Sequence, residues 1–258
     1  SILASFLNFI QIEIAESGFD CEMMIQTYEN DKLEQYGTTF LKNGYSGAII
    51  GACSAKDQQW LEGICPRMPV ILINRESDFS TVCTDNDEVG LMAATKIRQK
   101  GYTEAAIFAS RHSYFATSQR VQAFISSCER LGIETDEKYI LKGSSTRNGG
   151  YEIGKQYAAL KEPPKMIFCD SDAIALGALR AFHEEGISVP GDAELLSIGM
   201  LDPEAASYYV PSLSVVEMPN KEIGQQVLRL MRKKVLNNDM SSEHVKVHAK
   251  LMLRESFS

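Results

Sequence analysis

Residues 166–186, Met-Ile-Phe-Cys-Asp-Ser-Asp-Ala-Ile-Ala-Leu-Gly-Ala-Leu-Arg-Ala-Phe-His-Glu-Glu-Gly, contain two periodicities in succession. MIFC is a short, continuous apolar run, which predicts a strand buried on both faces. From Asp172 the pattern turns helical, carrying the apolar residues Ala175, Leu176, Ala178, Leu179 and Phe182; Ser171 stands where a cap belongs, and Gly186 follows as a left-handed stop. A buried strand feeding an amphipathic helix is the unit of a parallel sheet.

The same unit repeats outward in both directions. CEMMIQT, SGAIIGA, MPVILIN, EAAIFAS, AELLSIG and LSVVEM read as further strands. Helical patterns lie between most of them: KLEQYGTTFLKNG, EVGLMAATKIRQKG, SQRVQAFISSCERLG, GYEIGKQYAALK and KEIGQQVLRLMRKKVL. The chain opens on a helix with Leu3, Phe6, Leu7, Ile10 and Ile14, stopped at Gly18. The pattern predicts an α/β protein with doubly wound parallel sheets. The tail HVKVHAKLML alternates like a strand, and nothing marks a linker between two domains in series.

Composition narrows the function. The 258 residues hold 34 Asp and Glu against 26 Lys and Arg, a net charge of −8, which argues against duplex DNA being held by this stretch itself. No run of about 18 apolar residues exists, so no membrane span or membrane partner is expected. The six cysteines form no CxxC pair and suit buried thiols in a reducing cytoplasm; no secretory signal opens the chain.

Candidate chemistry is sparse. Gly149-Gly150-Tyr151-Glu152-Ile153-Gly154-Lys155 fits GxxxxGK, but Gln156 replaces the Mg²⁺-holding hydroxyl, and a glycine-rich helix start is the plainer reading. His244 and His248 would share a metal on a helix; on a strand they stand about 13 Å apart, so no metal site is expected. No GxSxG or other nucleophile constellation is present, so no catalytic residues are assigned and no cofactor is implied. The strand-to-helix loops 73–80, 110–120, 169–173 and 199–205 carry Arg75, Arg111, Arg120, Asp172 and Asp202 with Tyr114 and Phe115. These suit a small-molecule site at the carboxyl ends of the strands, or are simply polar loops in which Ser171 and Asp202 cap helices.

At 166–216 the residue order itself resembles a known family. MIFCDSDAIALGALRAFHEEGISVPGDAELLSIGMLDPEAASYYVPSLSVV is similar to the effector-binding core of the LacI/GalR family of bacterial transcription repressors. VILINRE, TDNDEVGLMAATKIRQKGYTEAAIFA, SQRVQAF and LMLRES resemble further stretches of that family, in order. The resemblance implies two interleaved doubly wound subdomains of the periplasmic-binding-protein-like type I class. Three crossovers, near 101–104, 214–218 and 238–243, would join them, with the ligand cleft between. The subdomains would be 1–102 plus 218–240 and 103–217 plus 241–258. A first strand and a helix-turn-helix domain are expected upstream of Ser1. Operator DNA would be contacted through that domain, by a homodimer responding to a small-molecule effector.

The resemblance also implies effector contacts at Asn74, Tyr114, Phe115, Arg120, Ser171, Asp172, Leu201, Asp202 and Met218. Ser171, Leu201, Met218 and Asn74 replace the family's Asn, Asp, polar and Asp residues, which points away from a heavily hydroxylated sugar. The helix DAIALGALRAFHEEG carries apolar surface that serves either a dimer contact or core packing. An extracytoplasmic solute-binding protein of the same fold and a small-molecule hydrolase on a doubly wound sheet are the rival readings.

Overall fold

Odd and even residues of the predicted strands go to opposite faces of two sheets, as period-two geometry requires. The computed structural model describes residues 2–37, 44–111, 115–200 and 204–257. The chain forms two compact units, residues 1–84 with 219–247 and residues 85–218 with 248–258.

In the first unit, β1 (Ala48–Ile50), β2 (Val70–Ile73), β3 (Ser80–Thr84) and β9 (His244–Val247) lie side by side in that order, all parallel. Ile71 and Val82 face α7 (Asn220–Asn237), packing with Ile223, Val227 and Met231. Val70 and Leu72 face the other way, onto Leu61 of α2 (Ala55–Ile64) and Leu33. The opening helix α1 (Ile2–Ser17) packs along α7. Asp57 fixes the start of α2: its carboxylate accepts from the N–H groups of Asp31, Leu33 and Ser54 and from the Ser54 hydroxyl.

The second unit has six strands in the order β10 (Lys250–Met252), β8 (Ser214–Glu217), β7 (Glu194–Gly199), β6 (Met166–Cys169), β4 (Ala106–Ser110) and β5 (Ile140–Gly143); only β10 is antiparallel. Ile107, Ala109, Met166 and Phe168 face α3 (Asn86–Gln99) and α4 (Phe115–Leu131), where Phe124 stacks on Phe168 with centroids 3.9 Å apart. Ala106, Phe108, Ile167 and Cys169 face α5 (Arg147–Ala158) and α6 (Asp172–Glu185). Both sheets are thus doubly wound. Gly186 ends α6 at φ 71°, donating its N–H to the Phe182 carbonyl.

Several expectations need correction. The first passage between units follows Thr84, not residues 101–104, because α3 belongs with α4. A Cβ on Gly90 would stand 2.4 Å from the Ala123 and Phe124 backbone, and Val89, Ala93, Ala94 and Ile97 share the core cluster of Phe124. The last passage follows Val247 rather than 238–243, since β9 still pairs with β3. The tail is therefore two strands in two sheets, not one.

CEMMIQT forms no strand. Residues 21–27 pair with none of the described strands, and Met24 and Ile25 are exposed. Strands β3 and β5 were missed. β3 is Ser-Thr-Val-Cys-Thr, in which two of the hydroxyls bond toward β9: Ser80 Oγ accepts from the Glu243 N–H and Thr81 Oγ1 lies 3.0 Å from His244 Nδ1. Of the cysteines, Cys53, Cys128 and Cys169 are buried, while Cys21 and Cys65 are exposed.

The two decoys dissolve into structure. Gly149, Gly150 and Gly154 lie inside α5, capped by Thr146, where their missing side chains admit neighbouring backbone. His248 meets Glu88 at 2.7 Å while His244 meets Thr81, so each imidazole has its own partner. No helix of the described residues is long and apolar enough to cross a membrane, and none of their acidic, Cys and His side chains cluster as metal ligands.

Candidate functional site

Parallel strands all end on one side of a sheet, and the helices that follow them begin there. In the second unit this side gathers the starts of α3, α4 and α6 and the residues just beyond β4, β6 and β7.

Arg120, on the second turn of α4, is only 2% exposed. Its Nε donates to Asn86 Oδ1 at 2.9 Å, and the Asn86 amide donates to Gln119 Oε1 at 2.9 Å. Nη1 lies 3.3 Å from the Met200 sulfur. Burial pulls the guanidinium down to about 10.

Two buried carboxyls end β6. Asp172 Oδ2 accepts the Met200 N–H at 3.1 Å, so Met200 links Asp172 to Arg120. Asp170 is fully buried; its Oδ2 accepts the Ser110 N–H at 2.6 Å, tying β6 to the end of β4. Burial pushes the Asp170 carboxyl above the usual carboxylate range, against the pull of the Ser110 N–H. Its Oδ1 has no hydrogen-bond partner among the described residues. Between these acids Ser171 caps α6, accepting the Ile174 N–H.

Of the residues expected at an effector site, the second unit brings Arg120, Ser171 and Asp172 to this sheet end, with Phe115 40% exposed as the first residue of α4. Met218 is buried in the core cluster beside Ile198 and Val216. Asn74 belongs to the first unit, where φ 52° turns the chain after β2 and its Oδ1 accepts the Thr84 N–H at 2.9 Å. Tyr114, Leu201 and Asp202 lie outside the described residues.

Sequence reasoning missed Asn86, Gln119, Met200 and Asp170. The signal for Asn86 was present: Thr-Asp-Asn opens a helix directly after a strand, but the strand, β3, was itself unread. Asp170 had no signal beyond its place at a strand end.

Residues 94–257 match the model of the periplasmic binding protein-like domain, more than half of the chain. The repressor PurR of Mannheimia succiniciproducens is 22% identical over 98% of this chain and 76% of its own length. A LacI family transcription regulator from Clostridium acetobutylicum superposes with a TM-score of 0.92 at 30% identity, over 98% of this chain and 94% of that one. A LacI family regulator from Enterococcus faecium, solved with bound ribose, superposes at 0.79 with 19% identity over 100% and 94% of the two chains. The chain belongs to the LacI family of transcription regulators and carries that family's periplasmic-binding-protein-like domain.

Proposed function

We propose that this chain is the effector-sensing part of a LacI-type repressor and binds a small molecule at the carboxyl end of the second unit's sheet. The observation that carries this reading is the buried Arg120–Asn86–Gln119 network beside Met200 and Asp172. Hydrogen-bonding groups held in fixed geometry at strand ends are what an α/β sheet offers a ligand. Arg120 and Asp172 are the contacting groups, Asn86 and Gln119 orient the guanidinium, and Phe115 supplies an apolar face. A ligand preferring one arrangement of the protein shifts its population, and so controls operator binding through a DNA-reading domain.

The relatives' names favour a regulator over a transport protein of the same fold. The regulator acts as a homodimer, for which the second unit offers the exposed apolar residues Tyr208 and Val210, 76% and 94% accessible. Sedimentation of the wild type and Val210→Asp tests this: the wild type sediments as a dimer and the variant as a weakened one.

The effector reading is tested by a metabolite panel screened by thermal shift, with hits titrated calorimetrically into the wild type and Asp172→Asn. Binding weakened by about tenfold or more in the variant is expected. A ligand that binds both proteins equally would place its site elsewhere.

A further inference from the structure

The chain passes between its units after Thr84, after Met218 and after Val247. The first and third passages leave β3 and β9 side by side, since Thr84 and Val247 are the last pair of that parallel ladder. A side-chain contact joins them again just inside the second unit, where His248 Nδ1 lies 2.7 Å from Glu88 Oε2. His248 is the first residue beyond the third passage, and Glu88 belongs to the first turn of α3, which opens directly after the first passage. Glu88 is itself held, its N–H donating to the capping Asp85 carboxylate at 3.2 Å. Two residues before it stands Asn86, whose amide oxygen accepts from Arg120. The contact therefore ties two passages together and borders the candidate effector site.

A carboxylate only accepts, so Nδ1–H is the donor in this contact whatever the charge of the ring. Protonation of Nε2 decides whether the bond is neutral or charge-assisted, and charge-assisted bonds are shorter and stronger. Histidine makes that change between about pH 5 and 8. The charges around His248 are of both signs. Asp85, Asp87 and Glu88 at the start of α3 favour an imidazolium, while the positive end of the α3 dipole opposes it. Lys246 and Lys250 flank His248 on β9 and β10, Glu217 of β8 stands opposite Lys250, and Glu222 lies in the first turn of α7.

We propose that His248 and Glu88 form a pH-sensitive brace: protonation of His248 tightens the first and third passages against each other, and a rise in pH slackens them. The stabilisation is present while the ring is charged and is lost as pH rises through its titration. Both side chains are exposed, His248 at 73% and Glu88 at 37%, so the brace has the strength of a surface ion pair, worth about a 1.5–5-fold change in a local equilibrium. That is little against global unfolding, yet enough to bias two arrangements of similar energy. The brace needs no ligand, so it stands or falls independently of the effector reading.

The test compares the wild-type chain with His248→Gln and Glu88→Gln, neither of which touches the core. Hydrogen–deuterium exchange of peptides spanning 84–90 and 246–252 is measured at pH 6 and pH 8 and corrected for the intrinsic effect of pH. Exchange in the wild type is expected to be about 1.5–5-fold slower at pH 6, and the difference disappears in both variants. In parallel, the imidazole resonances of the four histidines are titrated by NMR, His248 being the signal lost in His248→Gln. Glu88→Gln is expected to lower the His248 midpoint by about 0.2–0.7 pH units. Wild-type exchange that is flat between the two pH values, or that changes as much in either variant, overturns the proposal. So does a His248 midpoint unmoved by the loss of the Glu88 charge.

Discussion

Gly150→Ala and Gly177→Ala each add one methyl group where α5 and α6 cross. At position 150 the new Cβ would stand 2.1 Å from the Ile174 carbonyl oxygen and 2.7 Å from the Ile174 Cα. At 177 it would stand 1.9 Å from the Arg147 oxygen and 2.5 Å from the Tyr151 nitrogen. Ordinary contact begins near 3.4 Å, so each methyl is more than 1 Å short of room. What it meets is helix backbone, which cannot rotate aside as a side-chain tip can. The helices must separate, which loosens Tyr157 and Phe182 from Phe108, whose ring centroids lie 5.5 and 6.3 Å away.

Overpacking of this kind costs about 1–3 kcal/mol and more where backbone is the obstacle, while alanine returns about 1 kcal/mol of helix propensity. A net loss of about 2 kcal/mol is expected for either variant, or roughly 4–8 °C in melting temperature for a unit of this size. Gly63→Ala is the control. Gly63 is exposed near the end of α2 with nothing within 4 Å of its would-be Cβ, so the same substitution there gains about 0.5–1 kcal/mol. Thermal and urea unfolding are followed by far-UV circular dichroism, with Trp60 fluorescence reporting the first unit. A Gly150→Ala protein as stable as Gly63→Ala would refute the close crossing, and with it the packing explanation of the GxxxxGK glycines.

Three further outcomes follow from buried polar groups. Asp57→Ala strips the acceptor of Leu33, Asp31 and Ser54 N–H groups and should lower stability by about 1–3 kcal/mol, read by urea unfolding on Trp60 fluorescence; an unchanged midpoint would contradict the network. For Asp170 the folded state holds its proton more tightly than the unfolded chain, so its ionisation weakens the fold as pH rises through the raised value. The melting temperature of wild type minus that of Asp170→Asn should therefore fall between acid and neutral pH, and a flat or rising difference would sink the assignment. Lys234→Met leaves Asp239 and Glu243 able to reach water, so the loss should stay at about 1–3 kcal/mol; no loss would mean the buried ammonium contributes nothing to the loop before β9.

What could be read in the sequence and what could not divide along a physical line. Strands such as MIFC and helices such as DAIALGALRAFHEEG announce themselves because burial on two faces demands apolar residues at periods that survive in one dimension. Strand β3 hides because Ser80, Thr81 and Thr84 are polar yet buried, and two of their hydroxyls bond to residues about 160 positions downstream. The family pattern located Arg120, Ser171 and Asp172 at the sheet end. It said nothing of Asn86, Met200 or Asp170, since an asparagine 34 residues before an arginine acquires meaning only when α3 lies on α4. That α3 does so rests on Gly90, whose missing side chain admits the α4 backbone. Gly90→Ala should therefore disturb ligand affinity as well as stability, because moving α3 moves the acceptor that holds the Arg120 guanidinium in place. If Gly90→Ala lowers the melting temperature by several degrees while leaving effector affinity untouched, Asn86 does not orient the arginine.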